Sequence, residues 1–392
     1  MVFVGERCYK LHRILFITMG LWPYQKLSIL RIQAVFFFST FFCFLFFQLT
    51  TIFTSKCDVD CAIKKISYIA ITLAYIITYY SFYFNYDVVK QALEHMQLDW
   101  KTFENSNEME ILNKYIFEAY MIELITCIFI ILAIFVLAIF ECRSVILDII
   151  VPMNQSRPLK VEIPFEFFVD KERYFFLHLV QEIVGAAIGI SSISTTFLFL
   201  ATIGKHCCAT YKIASLLIEN TVTVHTLRMP SPQRMRFMHE NICRSVHIHR
   251  RTMKFINDLL ISFNLWYLPL LLIGVVSLSC ILFRLHNAMT ELDDFYDIAI
   301  SLLLFSGLLI LMFVANFLTQ RITDHSAEIF KATYNTFWYV APLPIQKLLL
   351  IMQKSIKDHK LIVGGLFTPS IEGFSTLMTS AVSYFTVMHA MR

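Results

Sequence analysis

Residues 119–140 read AYMIELITCIFIILAIFVLAIF, an apolar run interrupted by one charged side chain, Glu123. Coiled as a helix at about 1.5 Å per residue, the run extends about 33 Å, enough to cross a hydrocarbon core of about 30 Å. The interior of a soluble domain has no use for an element of that length and greasiness. Six further stretches have the same character: 32–53, 62–84, 176–203, 261–285, 297–319 and 362–390. The chain as a whole agrees, with 57% hydrophobic and 16% charged residues and a mean hydropathy of +0.63, where a soluble domain carries about 25% charge. The expected fold is an all-α integral membrane protein with seven transmembrane helices. No internal repeat or low-complexity linker divides residues 1–392, so a single domain is expected.

Basic residues resist export, so their distribution orients the spans. With the N-terminus inside, 23 of the 33 Lys and Arg fall in inner segments, and the inverse topology reverses that ratio. The loop after the fifth span carries Glu291, Asp293 and Asp294 and no base beyond Arg284, as an outer loop should. Seven crossings then put a cytoplasmic N-terminus opposite an extracellular C-terminus. The first span is longer than a signal h-region and reads as permanent, with no cleaved leader.

Two inner segments keep helical apolar spacing although they cannot cross a membrane: 205–260, and 322–356, the latter interrupted at Pro342 and Pro344. They are expected to be cytoplasmic helical extensions that bury their apolar faces against one another or against another subunit. Cysteines are scattered; Cys57 and Cys61 share an outer loop and can pair, with Cys142 on the same side. Cys207, Cys208 and His206 lack a second ligand cluster at metal spacing, and no metal is expected. Glu123 and Glu182 lie within about two turns of a span end, where interfacial solvation explains them better than an ion pathway. His239, His247 and His249 read as a solvated basic helix.

Several landmarks recur in one known family. Gly20, Leu21, Trp22 and Pro23 precede the first span, Asp99 and Trp100 lie in the second loop, and Ile163, Pro164 and Phe165 in the third. His249 stands before Lys254, Phe255 and Ile256. The C-terminal third carries Tyr334, Trp338 and Tyr339, then Gln346, Lys347, Leu348, Gln353, Lys354 and Ser355. Gly364 and Gly365 come next, before Phe374, Leu377, Ser383, Tyr384, Phe385 and Thr386. This ordered series resembles the insect odorant receptors, along the whole chain. Two departures are the charged run Asp170, Lys171, Glu172 and Arg173, and His389 in the last turn.

The resemblance implies an odorant receptor in the multi-pass plasma membrane of olfactory neuron dendrites. Such a receptor joins co-receptor subunits in a heterotetramer around one non-selective cation pore, with the cytoplasmic helices as its anchor. Its partners are then small volatile odorants, permeant cations and the lipid bilayer; no nucleic acid and no cofactor is expected. For pore and gate the resemblance points to Ser383, Thr386, Val387, Ala390 and Met391. The residues alone leave two readings of the hydroxyl stripe Ser375, Thr376, Thr379, Ser380, Ser383 and Thr386: pore lining, or hydroxyls bonded to their own backbone.

For the ligand the resemblance implies a pocket in the outer half of the bundle, among the second, third, fourth and sixth spans. The candidates there are Tyr68, Thr72, Tyr75, Phe135, Ile139, Gln181, Val184, Ile188, Ser301 and Phe305, against the alternative that each is ordinary helix packing. A volatile burying about 200 Å² of apolar surface gains about 5 kcal/mol, a dissociation constant of about 0.2 mM before polar contacts. Broad tuning is therefore expected.

No catalytic constellation, Walker loop or serine elbow is present, so the chain is not expected to be an enzyme. A transporter would show inverted repeats or paired broken helices. A G-protein-coupled receptor has the opposite charge bias. A gustatory receptor shares the topology, but Trp22-Pro23 and Asp99-Trp100 favour the odorant branch.

Overall fold

The computed structural model describes residues 6–54, 58–104, 106–150, 163, 174–291, 295–355 and 361–391. Its helices, in chain order, are α1 (Glu6–Thr18), α2 (Leu27–Thr54), α3 (Val59–Phe84), α4 (Tyr86–Phe103), α5 (Glu108–Glu141) and α6 (Arg143–Ile150). They continue with α7 (Phe175–Glu219), α8 (Val224–Leu227), α9 (Ser231–Glu291), α10 (Phe295–Asn335), α11 (Leu343–Ser355) and α12 (Ile371–Ala390). Six of them, α2, α3, α5, α7, α9 and α10, are long and apolar enough to cross a membrane. The seventh, α12, dilutes its apolar residues with Ser and Thr.

Burial follows the bilayer's logic. In α2 the buried side chains Leu30, Ala34, Phe37, Phe41, Phe44 and Gln48 recur every three or four residues. Phe36, Phe38, Phe42 and Phe46 on the other faces are exposed. A soluble helix would be polar there; a lipid-facing one has no reason to be. Helix α5 is likewise exposed along Phe129, Ile131 and Leu132. Helix α7 is the central post, packed against α3, α5, α9 and α10.

The expected inner segments begin as continuations of the spans. Helix α9 has 61 residues, about 90 Å of helix, three times what a bilayer hides. Its cytoplasmic start packs with the ends of α7 and α10 and with α11, around Ile218, Val222, Met238, Ile242, Ala332, Ile345 and Leu349. The break expected at Pro342 and Pro344 is a 3-10 turn, Trp338–Val340, before α11.

Four expectations change. The seventh helix begins at Ile371 rather than at 362, because Gly364 and Gly365 adopt φ of 64° and 70°, left-handed values that end regular helix. Glu123 is buried rather than solvated: the amphipathic α1 brings His12 within 3.1 Å of its carboxylate. Glu182 is buried too and accepts the Ile163 amide at 3.0 Å. His249 is buried between the Tyr211 ring and Ser326 rather than lying on a solvated face. Cys61 is disulfide-bonded and Cys142 is free. Cys57, Pro164, Phe165, the 170–173 charged run, Asp293, Asp294 and Arg392 lie outside the described residues.

Candidate functional site

Where the first, second and fourth spans converge, glycine makes the approach possible. A β-carbon at Gly185 would fall 2.1 Å from the Phe44 ring, and one at Gly189 would fall 2.1 Å from the Tyr75 ring. Gly185, Gly189 and Ser192 share one face of α7 at spacings of four and three. One turn outward from Phe44, Gln48 is 1% exposed, yet neither its amide oxygen nor its nitrogen has a hydrogen-bond partner. The Ser192 and Ser301 hydroxyls are buried in the same state. Such groups are costly inside a membrane protein and mark places where a guest hydrogen bond is favoured.

Above this seam the outer ends carry a polar roof. The Arg284 guanidinium of α9 lies 4.8 Å over the Tyr68 ring of α3 and its Nη1 donates to Ser67 Oγ at 3.4 Å. Lys64 pairs with Asp297 at 3.3 Å, Asn287 donates to Asp60 at 3.3 Å, and the Tyr296 hydroxyl donates to Glu141. The fifth and sixth spans thus meet the second through polar contacts, and the third meets the sixth.

The expected ligand residues divide. Tyr75 and Ile188 both pack against the aromatic cluster that holds Tyr79, Phe199 and Phe263. Thr72 is buried, and its hydroxyl donates to the Tyr68 carbonyl at 3.0 Å. Ser301 is buried, and Phe305 packs with Val275, Leu278, Met312 and, on α12, Leu377 and Ala381. Gln181 is half-buried. Phe135, Ile139 and Val184 lie on the surface of the chain, apart from those clusters. Sequence reasoning missed Gln48, Ser192 and Arg284. A polar residue inside an apolar span was the available signal for the first two, and a lone base at an outer span end for the third.

Helix α12 has two unlike sides. Leu377 and Ala381 are buried against α9 and α10, and Phe385 and Met388 pack on Ile63, Cys280 and Phe283. Ser383, Thr386, Val387, Ala390 and Met391 are exposed. The hydroxyls bond to carbonyls of their own helix, Thr379 to Ser375 at 3.0 Å and Ser383 to Thr379 at 2.8 Å, which keeps their oxygens outward as acceptors. The start of α12 is held by three groups: Ser370 caps the Gly373 amide at 2.9 Å, Asn316 of α10 accepts the Ser370 amide at 3.2 Å, and Asn264 of α9 accepts the Gly364 amide.

Below the membrane Asp99 is the hub that the second-loop landmark announced. It is buried and meets Arg251 at 2.8 Å, His206 at 3.0 Å and His95 at 3.3 Å. Burial alone would raise its carboxyl, but hydrogen bonds and charge from the two histidines outweigh that and hold it well below the usual carboxylate range. The turn at Gly20, with φ of 66°, seats Trp22 in the core, and the Tyr79 hydroxyl donates to the Met19 carbonyl at 3.2 Å. Among the described residues no group of three or more His, Cys, Asp or Glu is arranged to hold a metal ion.

No curated protein matches the chain significantly. Among solved structures, the insect olfactory receptor OR5 from Machilis hrabei in complex with eugenol superposes with a TM-score of 0.75 at 13% identity, covering 99% of both chains. A second structure of that receptor gives a TM-score of 0.69 at 14% identity over 98% of both. The family model described as 7tm Odorant receptor matches residues 58–382. That match spans the α3 and α7 sides of the outer seam, the Asp99 hub and the first part of α12, and by it the chain belongs to the 7tm odorant receptor family.

Proposed function

We propose that this receptor binds small, mostly apolar volatiles in the outer half of its bundle and opens a non-selective cation pore lined by α12, in a heterotetramer with co-receptor subunits. The observation that carries the proposal is the two-sided α12: its own bundle covers Leu377 and Ala381 and leaves the hydroxyl edge and Val387, Ala390 and Met391 uncovered. A helix that conducts needs a wettable face and an apolar constriction that dewets. Uncovered Tyr334, Phe337, Tyr339, Leu343 and Ile351 around α11 support assembly, since apolar residues below the membrane need a protein partner.

The guest's surroundings are aromatic, with Tyr75 and Ile188 as walls and Gln48, Ser192 and Ser301 as hydrogen-bonding partners. Eugenol, present in the Machilis hrabei complex, is a small aromatic with a phenolic hydroxyl, and a guest of that class suits such a lining. Two packed routes lead from there to α12. Phe305 touches the cluster of Leu377 and Ala381. Tyr68 stacks on Arg284, whose neighbours Cys280 and Phe283 hold Phe385 and Met388. A ligand that prefers the arrangement with these contacts shifted opens the gate; equal affinity for both arrangements would shift nothing.

The test is expression in oocytes, alone and with a co-receptor, under an odour panel that includes phenols. Odour-evoked cation current is expected in co-expressing cells alone. Silence in those cells, with surface labelling proving delivery of the chain, overturns the proposal.

A further inference from the structure

At the cytoplasmic rim of the bundle, away from the odour seam, a cleft of about 210 Å³ opens between α5, α7 and α10. Its lower wall carries Lys114, Lys205, Arg321 and one carboxylate, Glu118, with Tyr115 and His325 as floor, and its upper wall carries Phe317. The three helices cross one level here: Lys114 precedes the third span, Lys205 follows the fourth, and Arg321 follows the sixth. Cations below and an aromatic ring above mark the depth where lipid headgroups meet hydrocarbon.

The charge of the cleft is unbalanced. Lys205 is neutralised by Glu118 at 2.7 Å. Lys114 and Arg321 have no ion-pair partner among the described residues, and both are exposed. Two more carboxylates lie beside the cleft: Asp324, which accepts from Gln320 at 2.8 Å and keeps its charge, and Glu328, which pairs with Lys212 at 3.2 Å. His325 is 3% exposed; its Nε2 is hydrogen-bonded to the Tyr115 hydroxyl at 2.8 Å, and its Nδ1 lies 3.7 Å from the Glu328 carboxylate.

From this geometry we infer that the cleft is a binding site for the phosphate of an inner-leaflet lipid whose headgroup carries a phosphate monoester, of the phosphatidylinositol phosphate class. Two cations without an ion-pair partner, Lys114 and Arg321, can each bond to a phosphate monoester, whose terminal oxygens and second charge phosphatidylserine lacks. The acyl chains would leave past Phe317 along the lipid-exposed side of α5 and α10. A fixed phosphate at this point would tie together the inner ends of three helices, one of which, α10, runs on without a break to the cytoplasmic packing around Ala332.

The test uses the full chain, purified and reconstituted in phosphatidylcholine vesicles containing equal amounts of phosphatidylserine and phosphatidylinositol phosphate. The chain is then repurified and its retained lipid measured by mass spectrometry. The inositol phosphate lipid is expected to be enriched over phosphatidylserine. Lys114→Gln with Arg321→Gln should cut that retention about thirtyfold, the loss of two basic contacts. Arg236→Gln with Arg250→Gln, exposed bases elsewhere on α9, should leave it unchanged. All four side chains are exposed, so an unchanged unfolding temperature checks the fold. Equal retention of both lipids, indifference to the cleft substitutions, or an equal loss in the control pair overturns the inference. Displacement of the lipid by inorganic phosphate at matched concentration overturns it too, by making this a site for free phosphate.

Discussion

A single hydrogen atom at position 189 lets the Tyr75 ring stand against the α7 backbone, and the same is true of Gly185 and Phe44. Gly189→Leu forces that ring aside in a packed seam, and overpacking of this kind costs about 1–3 kcal/mol. A lowered unfolding temperature in detergent is expected, together with an altered odour response profile in co-expressing cells. Asp99 makes the opposite kind of demand, for charge. Asp99→Asn leaves His206 and Arg251 without their anion, and breaking a buried pair costs about 3 kcal/mol, reduced here because Arg251 is partly in solvent. Its folded carboxyl lies below the usual range, so its contribution is complete above the unfolded carboxylate pKa of about 3.9 and is lost as pH falls through the folded value. The stability gap between the protein and Asp99→Asn should therefore stay open from about pH 5 to 8 and narrow only in strong acid, as read by unfolding against pH. The pair Asp99 and Trp100 stands out in the sequence as a landmark. That Asp99 gathers His206 and Arg251 does not, because these residues lie on two other helices, whereas His95 stands one turn before it on α4.

At the scale of the element, α12 shows how a start and an end are set by different physics. Its start is local: Gly364 and Gly365 at positive φ stop regular helix, and Ser370 caps the new one. Ser370→Ala removes that cap, which costs about 1 kcal/mol, and amide exchange over the first turn of α12 should quicken while the rest of the helix stays protected. Its far end is apolar and uncovered. Met391→Ser places a hydroxyl where the proposed constriction must dewet, so basal current in the heteromer should rise; an unchanged closed state in patch recordings counts against the gate assignment. The stripe of Ser and Thr was legible at spacings of three and four. That those hydroxyls satisfy themselves on their own backbone while staying uncovered needed the packed chain, because sequence spacing does not reveal which face a neighbour occupies.

For the whole molecule, the long helices α7, α9 and α10 are both membrane spans and cytoplasmic struts, so the outer seam and the cytoplasmic packing share the same three helices. Orientation is the property on which the arrangement turns. An epitope appended after Arg392 should be labelled by antibody on intact cells, and one appended at the N-terminus only after permeabilisation. Labelling in the reverse order would put the Lys- and Arg-rich segments outside and the hydroxyl-rich helix on the wrong side for the proposed gate.

The sequence alone determined the membrane class, the seven crossings and their direction, because hydrocarbon demands apolar runs of a minimum length and basic residues stay in the cytosol. It also marked the hydroxyl edge of α12, while it ran that helix through Gly364 and Gly365, where the structure breaks it. Only the tertiary structure decided that Glu123 meets His12, that Arg284 rests on Tyr68, that Gln48 is buried with its amide unbonded, and that Phe135, Ile139 and Val184 stay on the surface. In a soluble protein apolarity separates inside from outside. In a bilayer both sides of a helix are apolar, so the face that meets the protein is settled by the neighbours that pack against it.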